Sequence, residues 1–352
     1  MKGKTMKFSE IIGNAQLKQT LVSMADSGRV PHAVLLYEND GGGAVPIALA
    51  FLQYLNCRNR HDGEACGVCP ACRQAAKLIY PDTHFVFPVN KSTKVKTDKP
   101  VSDSFIEYWR ELVLGNPYFR EENLQEALGI ESKKGEIALQ EAKNIISIMS
   151  LTPISDGYKA VLCYLPEKMN QTAANKLLKL VEEPPEKSVF IFITHAPEKM
   201  MQTVFSRCQS MRVLPLTREE TQLAGGKAAR DGELADIAAE MLRSCVDKNL
   251  LGALAAGELA AALPSRERQR DFCQTLGECL RGIFLIQNGQ ETLAELSGED
   301  RELCSQVAAK ANTAFCQKAM AAIDRTASLL DRNVNSKILF CDLADRIFVS
   351  VI

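Results

Sequence analysis

Short apolar runs alternate with amphipathic segments over the first two thirds of the chain. Residues 159–165 and 189–194 have the length and composition of buried parallel strands, and residues 34–37 form an earlier run of the same kind. A further strand is expected within residues 79–88. Residues 8–26 are expected to be an entry segment followed by an amphipathic helix, and helical periodicity predicts helices at residues 47–55, 105–114 and 139–149. Another helix is expected after the strand 159–165, ended by Pro184 and Pro185, and a short one over residues 197–209. The alternation predicts an α/β core, a parallel sheet with flanking helices, over residues 1–216.

The last third of the chain has a different pattern. From residue 233 onward apolar stripes recur at helical spacing, which predicts an all-α domain over residues 233–352. The stripes cover residues 237–246, 250–263, 272–286 and 315–330, and a final helix follows the Asn-rich segment 333–335. Residues 217–232, which include a Gly-Gly pair, are expected to be a short linker between the two parts.

Composition narrows the class of protein. The chain has 352 residues, 46% apolar and 24% charged, with a net charge of −1. It has no apolar run of membrane-spanning length and no secretory signal, so we expect a cytoplasmic protein without membrane contact. With a net charge near zero, the protein as a whole is not expected to attract nucleic acid electrostatically. Any DNA contact is expected to be local or shared with partners.

Four of the twelve cysteines are clustered. Cys57, Cys66, Cys69 and Cys72 follow the spacing Cys-x8-Cys-x2-Cys-x2-Cys, with Gly67 and Pro70 as turn residues between them. Zn²⁺ prefers four thiolates in a tetrahedron, and Cys-x2-Cys pairs can chelate it. We therefore predict a structural zinc site in the module 57–72, although chance clustering and an iron–sulfur cluster are alternatives.

A glycine-rich loop follows the first predicted strand but lacks the chemistry of a phosphate site. A nucleotide-binding loop of the form G-x-x-x-x-G-K-[ST] supplies a lysine for the phosphates and a hydroxyl for magnesium. Aligned on its last glycine, the loop Gly41, Gly42, Gly43, Ala44, Val45 has alanine and valine at those positions, and Glu38 stands where the first glycine belongs. Tyr164 and Leu165 occupy the place of the acidic residues that hold magnesium. The sequence predicts a vestigial loop without ATP hydrolysis.

Two motifs in order carry a family resemblance. The segment 170–185 has the pattern N-x-x-A-A-N-K-L-L-K-x-x-E-E-P-P, and Ser206-Arg207-Cys208 follows about twenty residues later. Together they resemble the AAA+ clamp-loader subunits of bacterial replication. Because both halves of the ATPase machinery are replaced, the pattern is most similar to the delta-prime type of DNA polymerase III subunit, which does not hydrolyse ATP.

The resemblance implies a function and partners. Arg207 would be an arginine finger that reaches the nucleotide of the adjacent subunit in trans, where a planar, permanently charged guanidinium suits phosphate oxygens. The partners would be ATPase subunits of the gamma/tau type and a delta subunit, with the sliding clamp and primed DNA reached through the complex. The helical domain would be an oligomerisation collar, the segment 217–232 a shortened lid, and residues 89–135 an insertion of unassigned role.

Other readings of the same residues stay open. Arg207 at a helix end can instead be solvated or paired with a carboxylate, and Thr194, at the place of the family's sensor residue, has no evident role. Glu167 is expected at the start of the following helix, where the helix dipole favours an acid. The chain as a whole is alternatively an active AAA+ ATPase with a nonstandard phosphate loop, or a stand-alone zinc-containing DNA-binding protein.

Overall fold

The computed structural model describes most of the chain in two compact units, Met1–Ala228 and Ala229–Ile352. The described residues are 6–38, 41–130, 133–216, 220, 223, 232–294, 296, 298–312, 314–330, 332 and 334–351. Most of the predicted lid, residues 217–232, lies outside them. Among the described residues, no helix is both long and apolar enough to cross a membrane.

The first unit is built on a five-stranded sheet in which all strands are parallel, in the order β2-β3-β4-β1-β5. The strands are β1 Ala33–Tyr37, β2 Thr83–Val86, β3 Lys159–Tyr164, β4 Ser188–Thr194 and β5 Gln209–Arg212. Every residue of β3 and β4 is buried, because helices cover both faces of the sheet. The predicted α/β fold with a parallel sheet is confirmed, although the edge strand β5 was not predicted.

Among the described residues, eight α-helices accompany this sheet. They are α1 Ala15–Asp26, α2 Ala44–Asn56, α3 Pro70–Ala75, α4 Ile106–Gly115, α5 Glu121–Leu128, α6 Leu139–Ser150, α7 Gln171–Glu182 and α8 Gln202–Phe205. Helix α7 begins where the Asn170 side chain accepts a hydrogen bond from the Ala173 amide at 2.8 Å. It ends before Pro184 and Pro185, which cannot continue a helix.

The insertion is part of the core of this unit. Trp109 of α4 is fully buried and stacks on Phe87 with a centroid separation of 4.6 Å. An antiparallel bridge between Val89 and Glu136 closes the segment at its base. Residues 89–135 therefore cannot be removed without opening the apolar core.

The second unit contains helices and no strand among its described residues, as predicted. Its helices are α9 Gly232–Val246, α10 Leu250–Ala261, α11 Arg266–Gln287, α12 Gly298–Lys310, α13 Phe315–Leu330 and α14 Ser336–Val351. The side chains of Asn249 and Ser265 accept hydrogen bonds from the first turns of α10 and α11. Phe272 and Phe340 meet edge to face, 5.8 Å apart, within one continuous apolar core.

Candidate functional site

The glycine-rich loop joins β1 to α2, and the carboxylate of Glu38 in this loop is bonded to the first amide of the helix. Gly41 and Gly43 have φ values of +80° and +102°, a region that L side chains rarely adopt. Glu38 is buried, and its carboxylate accepts a hydrogen bond from the Ala44 amide at 2.7 Å. Amides at the start of such a helix are the groups that cradle phosphate in nucleotide-binding loops. In this chain a carboxylate on the same loop takes that hydrogen bond.

Residues of the insertion cover the loop from outside. A Cβ atom at Gly43 would lie 3.1 Å from the Tyr118 ring, and one at Gly41 would lie 3.4 Å from the Arg120 side chain. The Tyr118 hydroxyl also accepts a hydrogen bond from the Ile12 amide at 2.9 Å, which ties the N-terminal segment to the same place. This contact joins residues about a hundred positions apart in sequence, so no local pattern in the chain indicated it.

The end of β3 is aromatic instead of acidic. The fully buried Tyr164 ring lies 5.3 Å from the Phe119 ring and 5.4 Å from the His195 ring, centroid to centroid. His195 in turn places its Nε2 atom 3.7 Å from the Glu38 carboxylate. The end of β3, at Tyr164 and Leu165, thus presents no carboxylate for magnesium.

Glu167 is not where the sequence placed it. The expectation was the first turn of the following helix, but Glu167 lies in the 3₁₀ turn Pro166–Lys168, and α7 begins only at Gln171. Its carboxylate accepts hydrogen bonds from the Thr194 hydroxyl at 2.7 Å and from the His195 amide at 3.1 Å. Glu167 thus lies in a separate short turn before α7, and its carboxylate is bound by the end of β4. The hydroxyl of Thr194, at the place of the family's sensor residue, is thus bound to Glu167 of the same chain.

The four cysteines of the module converge. The Sγ atoms of Cys57, Cys66, Cys69 and Cys72 all lie within 4.8 Å of one another, and those of Cys66 and Cys72 are 3.9 Å apart. Zinc–sulfur bonds of about 2.3 Å in a tetrahedron require sulfur–sulfur distances of about 3.8 Å, so the donor set fits Zn²⁺.

Backbone amides point at sulfur atoms in this module. The Cys66 amide points to the Cys57 sulfur at 3.2 Å, and the Cys69 amide to the Cys66 sulfur at 3.4 Å. Burial works to raise the pKa of Cys66, but hydrogen bonds from the Val68 and Cys69 amides and from the Cys57 and Cys69 side chains together lower that pKa to about 6. Burial instead raises the pKa of Cys57 and Cys72, which a metal ion would have to deprotonate on binding. A thiolate at neutral pH is the form that binds a metal ion. With four protein ligands no position would be left for a reacting water, so a metal ion held by this set would have a structural role.

Arg207 lies in the turn between α8 and β5, with about a third of its side chain exposed. Its Nε and Nη2 atoms each donate to the Glu182 carboxylate at 3.2 Å, and Nη1 donates to the Thr203 carbonyl at 2.9 Å. Pairing with a carboxylate was the alternative open for this residue, and the pair is present. It occupies only part of the guanidinium, because arginine has five N–H donors.

The parallel sheet, the glycine-rich strand-to-helix loop and the Ser-Arg-Cys segment together define an AAA+ core of the P-loop type. A family model described as "DNA polymerase III, delta subunit" matches residues 13–109 and 116–217, more than half of the chain. The chain belongs to this family of clamp-loader subunits.

Curated relatives carry related names. DNA polymerase III subunit delta' of Yersinia pestis is 27% identical over 55% of this chain and 45% of its own length. Subunit gamma/tau of Mycobacterium tuberculosis is 25% identical over 61% of this chain and 30% of its own length. The match therefore spans less than half the length of these relatives. Among crystal structures, a gamma subunit-related protein of Thermotoga maritima is similar over 95% of this chain and 99% of its own, at 14% identity and a TM-score of 0.40.

Proposed function

We propose that this chain is a delta-prime-type subunit of a clamp loader that binds and hydrolyses no nucleotide itself. The observation that carries the proposal is the Glu38 carboxylate bonded to the Ala44 amide, inside the loop that would otherwise hold phosphate. A phosphate there would have to displace a buried anion and would find neither lysine nor hydroxyl at positions 44 and 45. Tyr118 closes the approach to the same loop.

In this proposal the chain contributes to catalysis through Arg207. A guanidinium on an adjacent subunit can stabilise the charge that develops on the transferring phosphoryl group. Arg207 is exposed enough to reach a neighbour, and its permanent charge requires no change of protonation. The adjacent subunit would be an ATPase of the gamma/tau type, a delta subunit would complete the loader, and the assembled complex would place the sliding clamp on primed DNA.

The remaining parts would give this subunit its shape. Cys57, Cys66, Cys69 and Cys72 would hold a structural Zn²⁺ that fixes the segment after α2, because the ion would tie Cys57 to the segment 66–72. The helical unit would form the collar that joins the subunits, and the protein would act in the cytoplasm.

Calorimetric titration of the chain with Mg·ATP tests whether the loop binds nucleotide. We expect no heat of binding and no released phosphate, while a gamma/tau ATPase subunit in the same buffer binds and hydrolyses. Saturable binding with turnover by the chain alone would overturn the proposal in favour of an ATPase with a nonstandard loop.

A further inference from the structure

The end of helix α7 carries acidic residues where they are electrostatically disfavoured. Glu182 is the last residue of α7 and Glu183 is its C-terminal cap. The C-terminal end of a helix carries partial negative charge and favours cations, so two carboxylates at this end need a compensating group. Lys179 lies in the last turn, and Arg207 pairs directly with Glu182.

The pair is held by a rigid frame. Val181, directly before Glu182, and Val204, in α8 before Arg207, are both buried in the same apolar cluster against the sheet. The prolines at 184 and 185 stop α7 at a fixed point. The distance between Glu182 and Arg207 is thus set by packed elements and not by two mobile loops.

The guanidinium of Arg207 has N–H groups that its contacts within the chain do not use. One N–H each on Nε, Nη1 and Nη2 is used by Glu182 and by the Thr203 carbonyl. Five donors minus three leaves one N–H on each terminal nitrogen, with no partner among the described residues. Two N–H groups on adjacent nitrogens of a planar group suit two oxygens of one phosphate.

We propose that Glu182 is a positioning residue for Arg207, which holds the guanidinium so that its two remaining N–H groups face the terminal phosphate of a nucleotide on the adjacent subunit. This inference rests on the proposed function of Arg207. Glu182 reduces the net positive charge of the pair, so its contribution lies in orientation. An unrestrained arginine has many rotamers, and confining it to the one that contacts the phosphate costs conformational entropy. A group that is fixed in advance stabilises the transition state without that cost.

The test uses the clamp loader reassembled with variant chains, and it measures ATP hydrolysis in the presence of clamp and primed DNA. Glu182→Ala is expected to lower kcat about tenfold, as small displacements of catalytic groups do, with little change in KM for ATP. Glu182→Gln, which keeps one acceptor oxygen, should fall between this variant and the natural chain. Glu183→Ala is the matched control, since it removes the same charge one residue further on, and should leave kcat unchanged.

A double substitution separates positioning from a merely structural role. If Glu182 acts through Arg207, then Glu182→Ala has no further effect in a chain that already carries Arg207→Ala. Assembly of each variant into the loader is checked by gel filtration, and Glu182→Gln keeps the test available if Glu182→Ala does not assemble.

The outcomes distinguish the two levels of the proposal. Full activity of Glu182→Ala and Glu182→Gln, or a raised kcat, together with a loss in Arg207→Ala would overturn the positioning role and leave the finger intact. A loss in Glu182→Ala that persists with Arg207→Ala would also overturn it. Unchanged activity of Arg207→Ala would overturn the proposed function of the arginine itself.

Discussion

The carboxylate of Glu38 accepts a hydrogen bond from the amide of Ala44 at 2.7 Å, across the glycine turn that joins β1 to α2. The acid caps its own helix, and in doing so it satisfies a donor that a nucleotide phosphate would need. This contact supports the proposal that the loop holds no nucleotide phosphate.

Replacing Glu38 should weaken the fold without creating an ATPase. Glu38→Ala leaves the Ala44 amide without its buried acceptor, so we expect a loss of about 1–3 kcal/mol in the free energy of unfolding. The variant should still hydrolyse no ATP, because the lysine and the hydroxyl remain absent. Urea unfolding and phosphate release measure the two effects, and Glu38→Gln, which keeps an acceptor oxygen, should lose less stability. An active Glu38→Ala variant would mean that the carboxylate alone had silenced the site.

A substitution at Gly43 tests the contact between the loop and Tyr118 of the insertion. A Cβ atom at Gly43 would meet the Tyr118 ring at 3.1 Å, and its φ of +102° is strained for any other residue. At Gly28 the φ is +67° and no atom lies within 4 Å of the added Cβ. Gly43→Ala should therefore lower thermal stability clearly more than Gly28→Ala, and equal shifts in Tm would argue against a tight Tyr118 contact.

The cysteine module should contain metal. Purified chain is expected to carry one zinc per molecule by elemental analysis, and Cys66→Ser or Cys72→Ser should lose it together with thermal stability. Cys341→Ser, in the helical unit, removes a thiol outside the cluster and should keep the zinc. Iron in place of zinc, or equal metal content in Cys66→Ser, would contradict the assignment.

Glu141 should make stability depend on pH. Burial raises the pKa of Glu141 to about 7, against the hydrogen bonds from the Ser102 amide and hydroxyl that lower it and with a smaller contribution from Asp103. The folded state thus binds its proton more tightly than the unfolded state, whose value is 4.5. The resulting stability is fully present below pH 4.5 and is lost as pH rises through about 7.

Glu141→Gln removes this titration. We expect the variant to be more stable than the natural chain at pH 8, by at most a few kcal/mol, and the difference to shrink toward pH 5. Urea unfolding of the first unit at the two pH values measures it. Glu107→Gln changes an exposed acid on α4 and should show no such trend. A pH-independent difference for Glu141→Gln would show that the carboxyl group does not titrate as described.

Much of the architecture followed from local pattern. The fully apolar runs at β3 and β4 could be read as buried strands, and Pro184 and Pro185 marked the end of α7. The stripes of the second unit predicted its helices, although α12 was not separately foreseen because its sequence, Gly298–Lys310, has few apolar residues.

The site was harder to predict because its contacts join distant residues. Glu38 was expected to repel phosphate, but its bond to the Ala44 amide could not be predicted, because it crosses a turn with left-handed backbone at Gly41 and Gly43. Tyr118 reaches the loop from an insertion whose role was unassigned. The bond between Glu182 and Arg207 spans 25 positions and depends on how α7 and α8 pack. The cysteine spacing, in contrast, predicted its cluster because its ligands are near in sequence.

The most direct test of the account is the clamp- and DNA-stimulated ATPase rate of a loader reassembled with Arg207→Ala, beside one with Arg212→Ala. Arg212 is an exposed arginine on β5 and controls for the loss of charge. Hydrolysis at the neighbouring site should fall by about a thousandfold with Arg207→Ala and stay unchanged with Arg212→Ala. Equal rates in the two reassembled loaders would contradict a role for this chain in its neighbour's chemistry.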